Sequence, residues 1–483
     1  MSDWLSIAAG LFNTKEYILT GDKTFSFADI NEMSTSLSHY LQNEYGMERG
    51  DIAAVISENN IDFIILIFAL WKTGSIPVPI NIRLNDSEIG HLLSFLKPSF
   101  IYIDCGVKRN IDFDSDKIIH IPPEDTVLSA NTDNSEFDKN DTALILFTSG
   151  TSGKPKGVEL SFQNLKASFD NSNTILNQDI NDIWIATLPF YHIGGFSIII
   201  RSLLSGASLS IPPGLNTKYL ADEIIKRKPT LLSLVSTQLK RLLELGIKPN
   251  APLKCVLLGG GYIEVPLLDQ AIKAGWPVIK VYGSTETSSL VTYLDCNKEK
   301  NYKSSGGKPL ANNRVFIVDD RKEPLPPNYK GEIAVKSGSC AKGYYNNPKE
   351  TNEKFCKGIY YTGDTGFINE EGFLFIDSRR DDLIISGGEN INPIEIETVL
   401  KGYPGIQNVT VFGLEDKEWG HIVSAAIITN PGSNISEYEL KEFLMKEIAS
   451  YKVPRKFYFV KEFPLGPLGK IQKEKLKEIV RKY

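Results

Sequence analysis

Cysteine is scarce in this sequence and never paired. Cys105, Cys255, Cys296, Cys340 and Cys356 are spread through 483 positions, with no CxxC among them and no two closer than 16 residues. That spacing argues against a structural zinc site and a disulfide framework. The five histidines, His39, His91, His120, His192 and His421, are equally scattered. No window of about 18 uninterrupted apolar residues occurs, so no membrane-spanning helix is expected. The opening residues MSDWLSIAAG hold an acid and lack an apolar core of secretory length. The expected setting is therefore a reducing cytoplasm. Excess positive charge is also missing: 53 basic side chains face 59 acidic ones, a net charge of −6. Without a basic field, nucleic acid is not an expected partner. Any bound phosphate must be met locally, by Lys, Arg, backbone N–H groups or a metal. Internal repeats of about 20–50 residues are absent too.

What is present is an α/β pattern. The length favours two or more domains, and a hydrophobic content of 42% is enough for a full core. Short apolar bursts alternate with amphipathic stretches. DIAAVISEN (51–59), IPVPIN (76–81), TALILF (142–147), DIWIATLPF (182–190), LKCVLLGGG (253–261) and PVIKVYG (277–283) read as strands. IDFIILIFALWKTG (61–74) reads as a helix that is apolar nearly all round and ends at Gly74. The alternation predicts layered α/β sheets with parallel strands, and sites in such folds lie at the carboxyl ends of strands. After about residue 300, RVFIVDD, GEIAVKSG and GFLFIDS predict a mostly β subdomain. A last change in character falls near 379–382. The expected organisation is a large domain over 1–378, a hinge at 379–382 and a small α+β domain over 383–483.

Several motifs could carry chemistry. TSGTSGKPKG (148–157) has the composition of an anion cradle: glycines that admit backbone N–H groups, hydroxyl donors and two lysines. It is not a Walker loop, because Pro155 stands where GxxxxGK requires Gly. The same composition suits an ordinary flexible loop. VYGSTETSS (281–289) puts Glu286, a hard-oxygen ligand suited to Mg²⁺, after a strand; it also suits a helix N-cap. LLGGG (257–261) exposes backbone that can lie along a flat ring, and equally makes a tight strand–helix turn. YYTGDTG (360–366) places Asp364 in a turn, where it could take ribose hydroxyls or form an Asx-turn. LPFYHIGGFSIIIRSLLSG (188–206) starts a helix near His192, with Arg201 interrupting its apolar run. A buried Arg must reach water or meet an anion. Lys470 follows a Pro/Gly-rich stretch and, taken alone, resembles any surface lysine.

In order and spacing, TSGTSGKPKG, YGSTET, YYTGD, SRRDDLIISGGENINPIEIE and GPLGKIQ are similar to the adenylate-forming superfamily of acyl-CoA synthetases, peptide-synthetase adenylation domains and beetle luciferases. The likeness covers nearly the whole chain. It implies a carboxylic acid attacking the α-phosphate of ATP to give an acyl-adenylate and pyrophosphate, after which a thiol, here CoA, displaces AMP. By motif, Thr148, Ser149, Gly150, Thr151, Ser152, Gly153, Lys154 and Lys156 would close on pyrophosphate. Thr285 would touch the α-phosphate, and Glu286, with Thr151, would hold Mg²⁺. Gly259, Gly260, Gly261 and Tyr282 would flank adenine, with Gly283 and Ser284 beside them. Asp364 would bind ribose, Arg379 a ribose hydroxyl or phosphate, and Lys470 would bridge the acid and the α-phosphate. The small domain would be a mobile lid turning at Asp381. Its Ser386, Gly387, Gly388 and Glu389 would line the route of the CoA thiol.

Within the superfamily, residues 188–206 followed by LSLVSTQLKRLLE (232–244) resemble a branch acting on an aromatic dicarboxylic acid, and the chain length fits it. There the counterparts of His192 and Arg201 are implicated in holding the acid. One carboxylate is activated and the other needs a cation, which gives Arg201 a chemical reason. Gly194 departs from the Ser that some members carry. Aryl or medium-chain fatty acids would not need Arg201, and a solvent-facing Arg201 would favour them. A carrier-protein-loading enzyme, a luciferase-type oxygenase and a non-catalytic adenylate-binding protein are the alternatives of other classes. The last would tend to lose Glu286 or Lys470. The expected partners are the acid, ATP and CoA, with a monomer or homo-oligomer left open.

Overall fold

The computed structural model describes residues 3–121, 138–148, 155–249, 252–261, 263–379, 383–464 and 471–481, with the backbone alone for 377–379 and 474. Two compact units emerge, one ending at Ser378 and one running from Arg379, to which Arg83–Phe95 also belongs. Asp381 and most of the expected hinge lie outside the described residues.

The large unit is built on a nine-stranded sheet. Its central strands, Ile183–Ile185, Ser208–Ile211, Leu231–Val235, Cys255–Gly259 and Val278–Ser284, run parallel, with Leu231 opposite Cys255 and Val256 opposite Val278. LLSLV and CVLLG are apolar without alternation because helices cover such strands on both faces. A second, four-stranded sheet of Ile52–Ile56, Ile76–Pro79, Phe100–Ile103 and Ile118–Ile119 is also parallel. The helix Ile61–Thr73 is capped by Asn60, whose side chain accepts from Phe63 N, and ends on Gly74 at φ +78°. It is buried almost all round, and Trp71 Nε1 donates to Ala143 O at 2.7 Å. No helix among the described residues is long and apolar enough to cross a membrane.

Two expectations are corrected. Thr142–Thr148 does not join a parallel sheet. It pairs antiparallel with Lys156–Ser161, Thr148 opposite Lys156, and Gly343–Tyr344 adds a third strand opposite Val158 and Glu159. The segment KGVELS is buried on both faces and shows no alternation, which hid the hairpin. Asp364 lies not in a turn but inside the strand Ile359–Ile368 of the antiparallel subdomain. The register slips there against Glu332–Ala334, with Gly363 at φ +81°. This is a bulge, which a glycine-rich turn composition imitates.

The smaller unit is the α+β domain the sequence implied. Glu389–Ile391, Ile384–Ser386, Gly420–Thr429, Ile406–Asp416 and Lys456–Phe459 form one sheet. Helices Pro393–Lys401 and Glu437–Glu447 contribute Ile396, Leu400, Leu440 and Leu444 to its core, with Val411 and Ala425 from the strands.

One helix start bears directly on the site. His192 is the N-cap residue of Ile193–Ser205. Asn59 braces the approach to it, donating to Leu188 O at 2.8 Å and accepting from Phe190 N at 2.9 Å. The first helical turn packs so tightly on this segment that a Cβ at Gly195 would lie 2.1 Å from Pro189 O. Gly195→Ala is expected to destabilise the large unit by about 1–3 kcal/mol, the range for overpacking. Urea unfolding followed by tryptophan fluorescence measures it, and an unchanged midpoint would show that the 188–195 segment yields freely.

Candidate active site

The nucleotide side begins with two neighbouring strand ends. Cys255–Gly259 pairs with Val278–Ser284, and a Cβ at Gly259 would sit 2.8 Å from Val281 Cγ2. Bare backbone is what fits there. Gly260 follows at φ +84°, a left-handed conformation suited to glycine; Gly261 comes next in the turn. Tyr282 projects from the second strand and its hydroxyl donates to Asp364 Oδ2 at 2.7 Å. The bulge at Gly363 makes this meeting possible. Gly363 N donates to Glu332 Oε1 at 2.8 Å and Asp364 N to Thr362 Oγ1 at 3.0 Å. Two residues assigned to adenine and ribose thus come together from separate sheets.

The strand Val278–Ser284 runs into a single 3₁₀ turn, Thr285–Thr287. Thr287 Oγ1 accepts from Ser284 N at 2.9 Å and donates to Ser289 O at 2.8 Å, closing the turn. Gly283 is required here, since a Cβ would lie 1.8 Å from Ser289 O. Thr285 heads the turn and Glu286 follows it. Ala341 N donates to Glu286 O at 2.8 Å, and the Tyr344 hydroxyl donates to Glu286 Oε1 at 3.0 Å. Glu286 Oε2 has no partner among the described residues. No cluster of three or more His, Cys, Asp or Glu suited to a metal occurs among them either. A single half-free carboxylate suits Mg²⁺, which is commonly bound by one or two carboxylates plus substrate phosphates.

Lys156 has a different place from the one expected. It is buried and ion-paired with Glu350, whose other oxygen accepts from Asn347 Nδ2 at 3.1 Å. Its ammonium also lies 5.5 Å from the centroid of the Tyr344 ring. Lys156 braces the strand leaving the motif, which a sequence cannot distinguish from a lysine facing phosphate. Thr148 ends the strand leading into the motif. Ser149, Gly150, Thr151, Ser152, Gly153, Lys154 and Lys470 lie outside the described residues, as does the side chain of Arg379. In the smaller unit, Gly387 and Gly388 make the turn between Ser386 and Glu389, at φ +59° and +89°. Gly387 N donates to Trp419 O at 3.0 Å. Glu389 is buried and ion-paired with Arg83 at 3.0 Å.

Arg201 neither reaches water nor meets a carboxylate among the described residues. It is 2% exposed. Its Nε approaches Ser172 Oγ at 3.4 Å and its Nη2 approaches Ser289 Oγ at 3.3 Å, both long contacts. The guanidinium also lies 5.9 Å from the Trp184 ring centroid. Burial lowers its pKa to about 10, so it stays charged at neutral pH. The nearby Cys255 thiol is pushed up to about 12 by burial and supplies no negative charge. Arg201, Leu165, Ser168, Phe169, Ser197 and Ile200 line a small cavity of about 10 Å³, room for about one water, which Ser288 completes. Ser288 and Ser289 directly follow the Glu286 turn, which ties the cavity to the nucleotide side. His192, nine residues earlier on the same helix, packs its ring edge-on to Tyr191 at 4.8 Å. Gly194 lies beside it, and a Cβ there would press on Leu188 Cδ1 at 3.0 Å, a flexible neighbour.

Sequence reading missed Tyr344, Glu350, Ser172, Ser289 and Asn59. Each is polar, none but Ser289 lies in a motif, and each matters only through a partner distant in the chain.

Comparisons with known proteins identify the family. Residues 8–345 match the AMP-binding enzyme family and residues 395–470 match the AMP-binding enzyme C-terminal domain. A 2-succinylbenzoate–CoA ligase of Bacillus cereus is 34% identical, covering 99% of this chain and 98% of its own. A double mutant of o-succinylbenzoate CoA synthetase from Bacillus subtilis, bound to its product analogue OSB-NCoA, superposes with a TM-score of 0.91. Its identity is 30%, covering 99% of this chain and 98% of that one. The same synthetase in complex with ATP and magnesium gives 0.74, also at 30%, over 99% of each chain. The chain belongs to the AMP-binding enzyme family.

Proposed function

We propose that this chain is a 2-succinylbenzoate–CoA ligase of menaquinone biosynthesis, acting in the cytoplasm on small molecules. It converts the acid, ATP and CoA to the acyl-CoA, AMP and pyrophosphate through an acyl-adenylate. One observation carries the choice of acid: a charged, fully buried Arg201 without an acidic partner among the described residues, at the edge of a cavity walled by Phe169, Leu165 and Ile200. An aromatic dicarboxylate supplies the missing anion. A monocarboxylic aryl or fatty acid leaves the guanidinium buried and uncompensated, and the exposed Arg201 that would favour such acids is not what is found.

The residues divide the two half-reactions between them. Gly259, Gly260, Gly261 and Tyr282 hold adenine, and Asp364 holds ribose, its carboxylate oriented by the Tyr282 hydroxyl. Gly283 and Ser284 bring the chain into the turn where Thr285 meets the α-phosphate. Thr148 to Lys154 close on the leaving pyrophosphate, with Arg379 near the ribose or phosphate. Lys470 would bridge the attacking carboxylate and the α-phosphate, offsetting their repulsion. Glu286 with Thr151 would hold Mg²⁺, which would supply positive charge against the phosphates. His192 stands beside the acid at the start of its helix. In the second half-reaction the CoA sulfur attacks the acyl carbonyl, guided by Ser386, Gly387, Gly388 and Glu389, and AMP leaves.

CoA-dependent AMP release across a panel of acids tests the assignment. 2-Succinylbenzoate is expected to be turned over best, and turnover of a monocarboxylate without turnover of 2-succinylbenzoate would refute it. Arg201→Met should lower kcat/KM for 2-succinylbenzoate by about 30-fold or more, as expected for losing a buried charge pair, and change benzoate-type monoacids much less. The same variant should unfold at an equal or higher temperature when no acid is bound, because it removes an uncompensated buried cation. The sign follows from the lowered pKa: the unfolded chain binds the proton more tightly, so the penalty is fully present below about pH 10. Lys470→Ala should slow adenylation by about 10²–10³-fold and spare thioester formation from preformed acyl-adenylate. Equal losses in both steps would contradict its role.

A further inference from the structure

The carbonyl and the carboxylate of Glu286 are both bonded to one short segment. Ala341 N donates to the carbonyl at 2.8 Å, and three residues later the Tyr344 hydroxyl donates to Oε1 at 3.0 Å. Tyr344 is itself held from every side. Its backbone pairs with Val158, on the strand leaving the TSGTSGKPKG motif, and its N–H donates to Thr351 Oγ1 at 2.9 Å. The ring meets the edge of Phe355 at 5.6 Å, and its face is covered by the Lys156 ammonium, which Glu350 holds in place. The lysine expected at phosphate is thus spent on fixing a tyrosine, and the tyrosine on fixing a glutamate. A glutamate side chain left to itself samples many rotamers. Here one oxygen is pinned, and the other has no partner among the described residues.

We infer that Tyr344 is a positioning residue for Glu286: its hydroxyl holds one carboxylate oxygen and so presents the other to the divalent cation of the nucleotide. This rests on the reading of Glu286 as the metal ligand. Hydrogen bonds to ligating carboxylates tune metal affinity by about 10–100-fold in comparable sites. Lys156 and Glu350 act one step further back, as the clamp on the ring. The strand that leaves the phosphate motif and the carboxylate that meets the metal are thereby joined through one side chain.

The test titrates Mn²⁺ into enzyme held in excess over ATP, without acid, and follows free Mn²⁺ by electron paramagnetic resonance. Wild type, Glu286→Gln, Tyr344→Phe and the double variant are compared. Phenylalanine keeps the ring and its packing, and thermal unfolding checks that it does. Tyr344→Phe is expected to weaken Mn²⁺ binding about tenfold and to add nothing in the Glu286→Gln background. It should also raise the Mg²⁺ half-saturation of acid-dependent ATP–pyrophosphate exchange by a similar factor, with the rate recovered at saturating Mg²⁺. If Glu286→Gln weakens Mn²⁺ binding and Tyr344→Phe does not, positioning is overturned while the metal ligand stands. If Glu286→Gln has no effect, the metal reading fails and the positioning role with it. A rate lost at every Mg²⁺ concentration would mark Tyr344 as merely structural and overturn the inference.

Discussion

A positive charge buried without a counter-charge among the described residues is the constraint on which the proposed acid site depends. Taking a guanidinium out of water is unfavourable by several kcal/mol. The two serine hydroxyls and the indole ring around Arg201 return only part of that. Folding tolerates such a deficit where a ligand repays it on binding, and the charge then discriminates as well as attracts. On the proposed function, an acid without a second carboxylate would leave the deficit in place. The helix that carries Arg201 is held at its start by Asn59 and by the close approach at Gly195, so the guanidinium is delivered from a rigid element.

The nucleotide side follows the same logic of fixing one group through another. Tyr282 orients Asp364 across a gap between sheets, and Tyr344 orients Glu286 across a second. Both acids are on irregular backbone, a bulge and a 3₁₀ turn, where a strand or helix would not aim them. Both are steadied by a tyrosine hydroxyl brought in from another strand.

Much of the scaffold was legible in the sequence, for physical reasons. Buried parallel strands read as uninterrupted apolar runs, and CVLLG is such a run, whereas LLSLV, interrupted by Ser233, was not read as a strand. The helix Ile61–Thr73 announced its end at Gly74, and His192 announced the start of the next site helix. The motif glycines at 259 and 283 have positions that admit no Cβ. What was not legible depends on partners far away in the chain. Lys156 reads like Lys154 until Glu350, 194 residues later, is brought beside it. Tyr344 meets Glu286 across 58 residues, and Tyr282 meets Asp364 across 82. No local pattern encodes such pairs. The antiparallel hairpin of Thr142–Thr148 and Lys156–Ser161 was hidden because burial on both faces erases the alternation that marks a hairpin. The bulge at Gly363 looked like a turn because both use glycine for the same left-handed backbone.

The account turns on where the second carboxylate of the acid goes. The most direct measurement is a crystal structure of the enzyme with a hydrolysis-resistant analogue of 2-succinylbenzoyl-adenylate. The free carboxylate is predicted within about 3 Å of the Arg201 guanidinium, directly or through one ordered water. The account would be contradicted by a carboxylate in open solvent, with Arg201 still facing only Ser172 and Ser289.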